Sequence, residues 1–249
     1  MQAALFLHSR LASKAAAIHK IVEARGWRVS QARPDLVIAI GGDGTVLQAE
    51  KRFPNAPILA FNAGSLGFLC DCSFEDLDAA LKKYSQGKYK IDEMLKLDLL
   101  INGKKVDEAM NEVDITSKTP GRALDTSISI NKRKIASFVG DGVLIATPLG
   151  STAYNASAGG SVVEPSVEAM SIVPLNPHFS KALPLVIGPD KTVSVSLDTH
   201  VSSAAAVVDG LREHPLSKNS KIEVRVSKSK ARLVRCQGDY WQRLASLLG

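Results

Sequence analysis

The chain has 249 residues, of which 45% are hydrophobic and 22% charged, enough for one large domain or two small ones in a globular protein. A net charge of +6 and a pI of about 9.2 suit an anionic small molecule as well as nucleic acid. Aromatic residues at 5% argue against base-stacking on nucleic acid, and no apolar run is long enough for a membrane span, so neither partner is expected.

In chain order, strands are expected at residues 3–7, 27–30, 36–40 and 58–61, and helices at 11–25, 46–52 and 74–84. The first 22 residues are basic and free of acids, as in a transit peptide, but a first strand and its following helix account for them better. Alternation of this kind implies a parallel sheet covered by helices. Ser73 with Asp76 three residues on reads as a helix-capping signal. Cys70 and Cys72 lack a His or Cys cluster, and three cysteines make no disulfide framework. They read as reduced thiols, with a cytoplasmic setting and no zinc site.

After Gly87 the texture changes to short apolar runs between turn signals. Asn102-Gly103 predicts a hairpin between 97–101 and 104–106, and Asn131-Lys132 a second between 127–130 and 135–138. Further strands are expected at 143–146, 185–187, 193–197, 205–208, 222–226 and 232–234, making a mostly antiparallel β domain. The basic runs 132–134 and 228–230 read as solvated hairpins. Residues 239–248 form a closing helix with Trp241 and Leu244 on one face. Trp27 and Trp241 read as packing residues and His178 as a turn or core histidine, while His8, His19, His200 and His214 show no partner pattern. The expected division is an α/β domain at 1–88, a β-rich domain at 89–235, and a closing helix at 236–249 packed back on the first domain.

Two passages carry chemistry. The apolar run 37–40 ends in Gly41-Gly42-Asp43-Gly44-Thr45, a strand, tight turn and helix start of the kind that cradles phosphate. Asp43 would repel phosphate unless a metal neutralises it or a hydroxyl donates to it, and a hydroxyl beside a phosphate cradle suggests phosphoryl transfer to an alcohol. The spacing is neither a P-loop nor the dinucleotide fingerprint, since no Gly-Lys-Ser/Thr follows and Leu47 takes the third glycine's place. A plain βα turn with a capping Asp43 or Thr45 is the alternative reading. The second passage, residues 140–160, takes a buried strand into Pro148, Gly150 and the small hydroxylated residues Ser151 and Thr152, then Tyr154 and Ser157. Hydroxyls there can bond a polar base or sugar, and Ser151 or Thr152 can cap a helix running to Ala158. Upstream, Asn111-Glu112 is a polar pair where a strand should begin.

Together these residues resemble the NAD kinase family over nearly the whole chain and in the family's order. The match comprises Gly41-Gly42-Asp43-Gly44-Thr45, residues 62–69 with Phe68, Asn111-Glu112, Asp141-Gly142, residues 147–154, the Ser157-Ala158-Gly159-Gly160 run and Asp209-Gly210. The resemblance implies an N-terminal Rossmann-like α/β domain and a C-terminal antiparallel β domain. It also implies transfer of a phosphate from ATP or polyphosphate to the 2′-hydroxyl of the adenosine ribose of NAD, giving NADP. By that resemblance Asp43 faces the hydroxyl as base or orienter, and Gly41, Gly42, Gly44 and Thr45 form the phosphate-donor loop. Asp43 and Gly44 also border NAD; Asn111 and Glu112 hold ribose hydroxyls. Thr152 and Ser157 contact adenine with Tyr154 beside it, Asp141 and Ala153 meet the nicotinamide end, and Phe68 walls the pocket. A divalent cation, usually Mg²⁺, is implied, held largely by phosphates with Asp43 as the candidate protein ligand, in a homodimer or homotetramer.

A carboxylate of ordinary acidity is a weak base toward a ribose hydroxyl at neutral pH, which favours orientation and metal holding for Asp43. The chain departs from many relatives at Gln48 (Arg), Leu149 (Thr), Val139-Gly140 (polar residues) and Leu211 (Gln or His), which bears on donor choice and on NAD against NADH. The alternatives are a lipid or sugar kinase sharing the glycine-Asp loop and a non-catalytic dinucleotide sensor. The first leaves the Asn-Glu and Gly-Ser-Thr-Ala-Tyr passages unexplained, and the second has no need of Asp43.

Overall fold

The computed structural model describes residues 1–64, 67–119, 121–178, 180–197, 204–237 and 240–248. Residues 1–93 with 231–249 form one compact unit and residues 94–230 a second. Among the described residues no helix is long and apolar enough to cross a membrane.

The first unit opens with β1 (Gln2–Leu7), a 3-10 turn (Ser9–Lys14), α1 (Ala15–Glu23), β2 (Arg28–Val29) and β3 (Leu36–Gly41). It continues with α2 (Asp43–Arg52), β4 (Pro57–Asn62), β5 (Cys72–Ser73), a 3-10 turn (Phe74–Asp76) and α3 (Leu77–Ser85). β1 pairs with β2 and β3, and β3 with β4, all parallel, with β5 also parallel to β4. Every residue of β3 is buried, which is why it reads in sequence as an unbroken apolar run. Ile38, Ile40, Leu59 and Phe61 pack with Ile18, Val22 and Leu81 from the helices. Each such side chain is worth about 1.5–3 kcal/mol of transfer free energy.

Local chemistry shifts the expected boundaries. The first helix is split, because His8 Nδ1 accepts the Arg10 N–H (3.2 Å) and opens a 3-10 turn, so His8 does have a partner. The next helix begins at Asp43, three residues before expectation, so the glycine-rich loop is its first turn. Ser73 donates its hydroxyl to Asp76 (2.9 Å) rather than capping a backbone N–H.

The second unit is built from antiparallel strands, with β6 (Lys90–Ile101) entering it. β7 (Lys104–Ala109), β8 (Glu112–Ser117), β9 (Leu124–Ile130), β10 (Arg133–Gly140) and β11 (Gly142–Ala146) follow. A 3-10 turn (Leu149–Thr152) leads into the short α4 (Tyr154–Ser157). Then come β12 (Met170–Leu175), β13 (Leu185–Ile187), β14 (Thr192–Leu197), β15 (Ala204–Val208) and β16 (Arg212–Leu216). β17 (Ile222–Arg235) leads back to the first unit, where α5 (Tyr240–Leu248) ends the chain. One sheet runs β13-β12-β11-β8-β15-β16, and a second runs β10-β9-β14-β17, with β6 beside β17 and β7 beside β6. Val113, Ile115, Val143 and Ile145 of the first share a core with Ile128, Val193, Val195 and Val224 of the second.

Both expected hairpins form. Asn102 and Gly103 (φ 53° and 78°) and Asn131 and Lys132 (φ 48° and 69°) supply the left-handed backbone of two-residue turns. The strands expected at 222–226 and 232–234 are one strand, so 228–230 lies inside it and is no hairpin; Lys230 pairs with Glu168 (2.6 Å). In the first unit its Arg232 and Leu233 pair parallel with Pro57 and Ile58 of β4. β12 and β16 were not expected from sequence: Pro174 interrupts one and charged residues alternate with Pro215 in the other.

His214 Nε2 lies 2.8 Å from the Asp107 carboxylate, against the expectation of no partner, and His19 faces Glu23 at 3.3 Å. Trp27 is buried, but Trp241 is 64% exposed, which corrects its reading as a packing residue. Asp239 and His200 lie outside the described residues. All three cysteines are free thiols, and burial pushes Cys70 up to about 12 and Cys236 up to about 11.

Candidate active site

The Gly41–Thr45 loop joins β3 to α2. Gly41 has a protein reason to be glycine, since a Cβ there would overlap the Thr45 side chain, which is itself buried. Gly42 and Gly44 have none: a Cβ on either would meet nothing within 4 Å, and neither has positive φ. Their smallness leaves open surface at a helix N-terminus, where N–H groups favour an anion. An open cleft of about 200 Å³ beside Gly41 and Gly42 is also lined by His8, Arg10, Asn62 and Gly64.

Asp43 is the first residue of α2. Its Oδ2 accepts the Phe68 N–H and its Oδ1 the Leu69 N–H, both at 2.9 Å. The carboxylate is therefore neutralised in part by two amides, a partner the sequence reading did not foresee. Gly67 must be small for this, because a Cβ there would strike Asp43 Oδ1. Phe68 is half-buried, its ring edge-on to Tyr240 of α5 at 5.6 Å. Ser65 and Leu66 of the same motif lie outside the described residues.

In the second unit, Asn111 and Glu112 sit where β8 begins, and the turn that carries them is clamped twice. The Asp209 carboxylate accepts the N–H groups of Met110 (3.1 Å), Asn111 (2.7 Å) and Glu112 (3.2 Å), while its own N–H bonds the Glu112 carbonyl (3.0 Å). Asp209 reaches them from a turn after β15 in which it and Gly210 have φ of 53° and 62°. From the other side, Thr147 Oγ1 donates to the Met110 carbonyl (2.8 Å), its N–H donates to the Asn111 carbonyl (2.8 Å), and Gly150 packs directly on the Asn111 backbone. Held this way, Asn111 and Glu112 are over nine-tenths buried, yet Asn111 Oδ1 and Glu112 Oε2 have no hydrogen-bond partner among the described residues. Buried polar atoms are normally satisfied, so these two are poised for donors from a ligand. Burial pushes the Glu112 carboxyl up to about 8, assisted by the Asp209 and Asp114 carboxylates, and burial pushes Asp114 up to about 7. Asp209 is also raised by burial, against the lowering effect of its amide donors.

The passage after β11 is a 3-10 turn running into α4. Neither Ser151 nor Thr152 caps the helix as expected. Ser151 is buried and bonds the Pro148 carbonyl (2.6 Å) and the Val163 N–H (2.8 Å), and Thr152 bonds the Leu149 carbonyl (3.2 Å). Asn155, fully buried, ties the turn to the Ser151 and Ser161 carbonyls. Thr152 and Ala153 are half-buried, and Tyr154 and Ser157 are exposed. Asp141 is exposed and accepts from Asn176 Nδ2 (2.6 Å).

These two constellations lie in two regions that match known families. Residues 6–89 match the ATP-NAD kinase N-terminal domain and residues 110–236 the ATP-NAD kinase C-terminal domain. The chain belongs to the NAD kinase family. It is 31% identical over 225 residues to the NAD kinase of Thermoplasma acidophilum, covering 90% of this chain and 82% of the relative. It is 37% identical over 222 residues to the NAD kinase of Corynebacterium glutamicum, covering 86% and 76%. The fold is similar to that of an NAD kinase from Archaeoglobus fulgidus crystallised with ATP, at a TM-score of 0.86 and 24% identity over 100% of this chain and 98% of the other. Membership in the NAD kinase family leaves the lipid- and sugar-kinase alternatives unsupported.

In the sequence, Asp209 and Thr147 stand only as members of motifs, and Asp114 and Asn155 are given no role. Asp209 and Thr147 act through backbone groups distant in the chain, which no local pattern encodes. Asp114 carries a local signal, an acid between the apolar Val113 and Ile115, on the face of β8 turned away from the core.

Proposed function

We propose that the chain phosphorylates NAD to NADP by transferring a phosphate from ATP or polyphosphate to the 2′-hydroxyl of the adenosine ribose. The observation that carries this reading is the clamped Asn111-Glu112 pair, whose unpartnered Oδ1 and Oε2 suit ribose hydroxyl donors. Gly42 and Gly44 keep open surface at the N-terminus of α2, where donor phosphates are favoured. Asp43 uses one lone pair on each oxygen for Phe68 and Leu69, which fixes its orientation and leaves the others for the reacting hydroxyl. It acts as orienter of that hydroxyl. Thr152, Ala153, Tyr154, Ser157 and Asp141 border the dinucleotide, and Phe68 walls its site. Thr45, being buried, supports the loop from behind Gly41 rather than touching phosphate through its hydroxyl.

Among the described residues no group of three or more His, Cys, Asp or Glu is arranged as a metal cage. Mg²⁺ is commonly held by substrate phosphates and one or two carboxylates, and the free lone pairs of Asp43 fit that mode. A cation so held would supply neutralisation of the charge on the transferring phosphate. The protein is further proposed to work in the cytoplasm as a homo-oligomer.

The test is incubation with Mg²⁺, NAD and either ATP or polyphosphate, NADP being read through an NADP-specific dehydrogenase, with a chelator control. NADP is expected with at least one donor and should vanish with chelator. No NADP with either donor, despite measurable NAD binding, would overturn the reading in favour of a dinucleotide sensor.

A further inference from the structure

The alternation along β8 points Val113 and Ile115 into the core shared by the two sheets, and so puts Glu112, Asp114 and Thr116 on the opposite face. Asp114 is half-buried there. Its ladder neighbours are Leu144 on β11 and Val207 on β15, so no basic side chain flanks it across the sheet. Its Oδ1 has no hydrogen-bond partner among the described residues. Two residues away on the same face, Glu112 is over nine-tenths buried and its Oε2 is likewise without a partner. In the other direction, Thr116 Oγ1 donates to the Asp141 carbonyl (3.3 Å). Asp114 thus stands on the strand between the pair proposed to hold ribose hydroxyls and the residue proposed to meet the nicotinamide end. The Asp114, Asp141 and Glu112 carboxylates all bear on Tyr154, so this face is acidic as a whole.

We propose that Asp114 is a specificity-determining residue whose carboxylate favours the oxidised dinucleotide, with its cationic pyridinium ring, over the reduced one, whose ring is neutral. The inference rests on the NAD kinase reading above. A carboxylate with Leu144 and Val207 as its ladder neighbours and no basic side chain beside it there is costly to ionise, and burial raises it. A cation brought close reverses that balance: the proton leaves to solvent and the resulting pair is attractive in a low-dielectric setting. A neutral dihydronicotinamide offers no such return. Glu112, whose carboxyl is raised further by burial and by the Asp209 and Asp114 carboxylates, keeps its proton at neutral pH and is committed to the ribose. Asp114 is therefore the side chain whose removal changes discrimination.

The experiment compares wild type with Asp114→Asn and Asp114→Val, using NAD and NADH as acceptors and whichever donor supports turnover. Dissociation constants for both dinucleotides are measured by titration calorimetry without donor, so that binding is read independently of chemistry. Wild type is expected to prefer NAD. Both variants should lower the NAD-to-NADH ratio of kcat/KM by roughly tenfold, through KM for NAD. The calorimetric ratio should fall in parallel. An unchanged ratio in both variants, an equal loss for both dinucleotides, or a wild type that prefers NADH would overturn the proposal while leaving the kinase assignment standing. A wild type that makes neither NADP nor NADPH overturns the kinase assignment itself, and this inference with it.

Discussion

Asp209 Oδ1 accepts the Asn111 N–H at 2.7 Å across 98 residues of chain. The same carboxylate takes the N–H groups of Met110 and Glu112, so one buried side chain sets the backbone that presents the Asn-Glu pair. Asp209→Asn replaces one acceptor oxygen with a donor facing amide donors. The expected loss is about 1–3 kcal/mol of stability, read by denaturant titration, together with weaker NAD binding. A variant with wild-type stability and NAD affinity would show that the clamp is not needed.

Gly44 lies in the first turn of α2 with open space where a Cβ would go. Gly44→Ala should raise stability by about 0.5–1 kcal/mol, the usual gain for alanine in a helix. It should also cut kcat/KM by about tenfold or more, because the methyl group stands where donor phosphate approaches. Unaltered turnover would mean that the space is incidental.

Asp43→Asn keeps one acceptor and turns an amide donor toward either the Phe68 or the Leu69 N–H. Turnover should fall by roughly a hundredfold or more while NAD binding persists. Hydrogen exchange at the Phe68 and Leu69 amides should quicken. Near-normal turnover would remove Asp43 from the reaction; slow exchange with low turnover would separate its orienting role from its loop contacts.

Gly150→Ala drives a Cβ onto the Asn111 backbone. Overpacking against main chain should cost about 1–3 kcal/mol and raise KM for NAD more than it lowers kcat. Steady-state kinetics and a thermal melt check both.

Glu112 holds its proton up to about 8 in the folded chain against 4.5 for an ordinary glutamate, so the native state binds more protons than the unfolded state between those values. Its contribution to stability is full below pH 4.5 and is lost as pH rises through 8. Asp114 behaves alike, from 3.8 to about 7. The stability difference between wild type and Glu112→Gln should therefore shift against wild type as pH increases over that window, in melts without ligand. A pH-independent difference would contradict the raised value.

The parallel core of the first unit was legible because buried strands such as β3 are apolar without interruption, and the Asn102-Gly103 hairpin because its turn chemistry is local. The start of α2 was misplaced because Gly42 and Gly44, which leave surface open there, also weaken the helical pattern. β16 was invisible because its sequence, Arg-Glu-His-Pro-Leu, has no strand character of its own; Arg212 and His214 are held by Asp107 instead. In the site, residue types were readable and their support was not. Nothing near Asn111 announces a carboxylate 98 positions later, and nothing near Asp43 announces that two amides will share it.

The path of β17 sets an order for synthesis on the ribosome. Arg232 and Leu233, which border β4 in the first unit, follow the whole of residues 94–230 in the chain. A nascent polypeptide therefore has all of the second unit before it has the strand that completes the sheet begun by the first. Folding that proceeds with translation can finish the later-made unit first, and leaves Pro57 and Ile58 of the earlier-made one without their strand neighbour until Arg232 and Leu233 have been added.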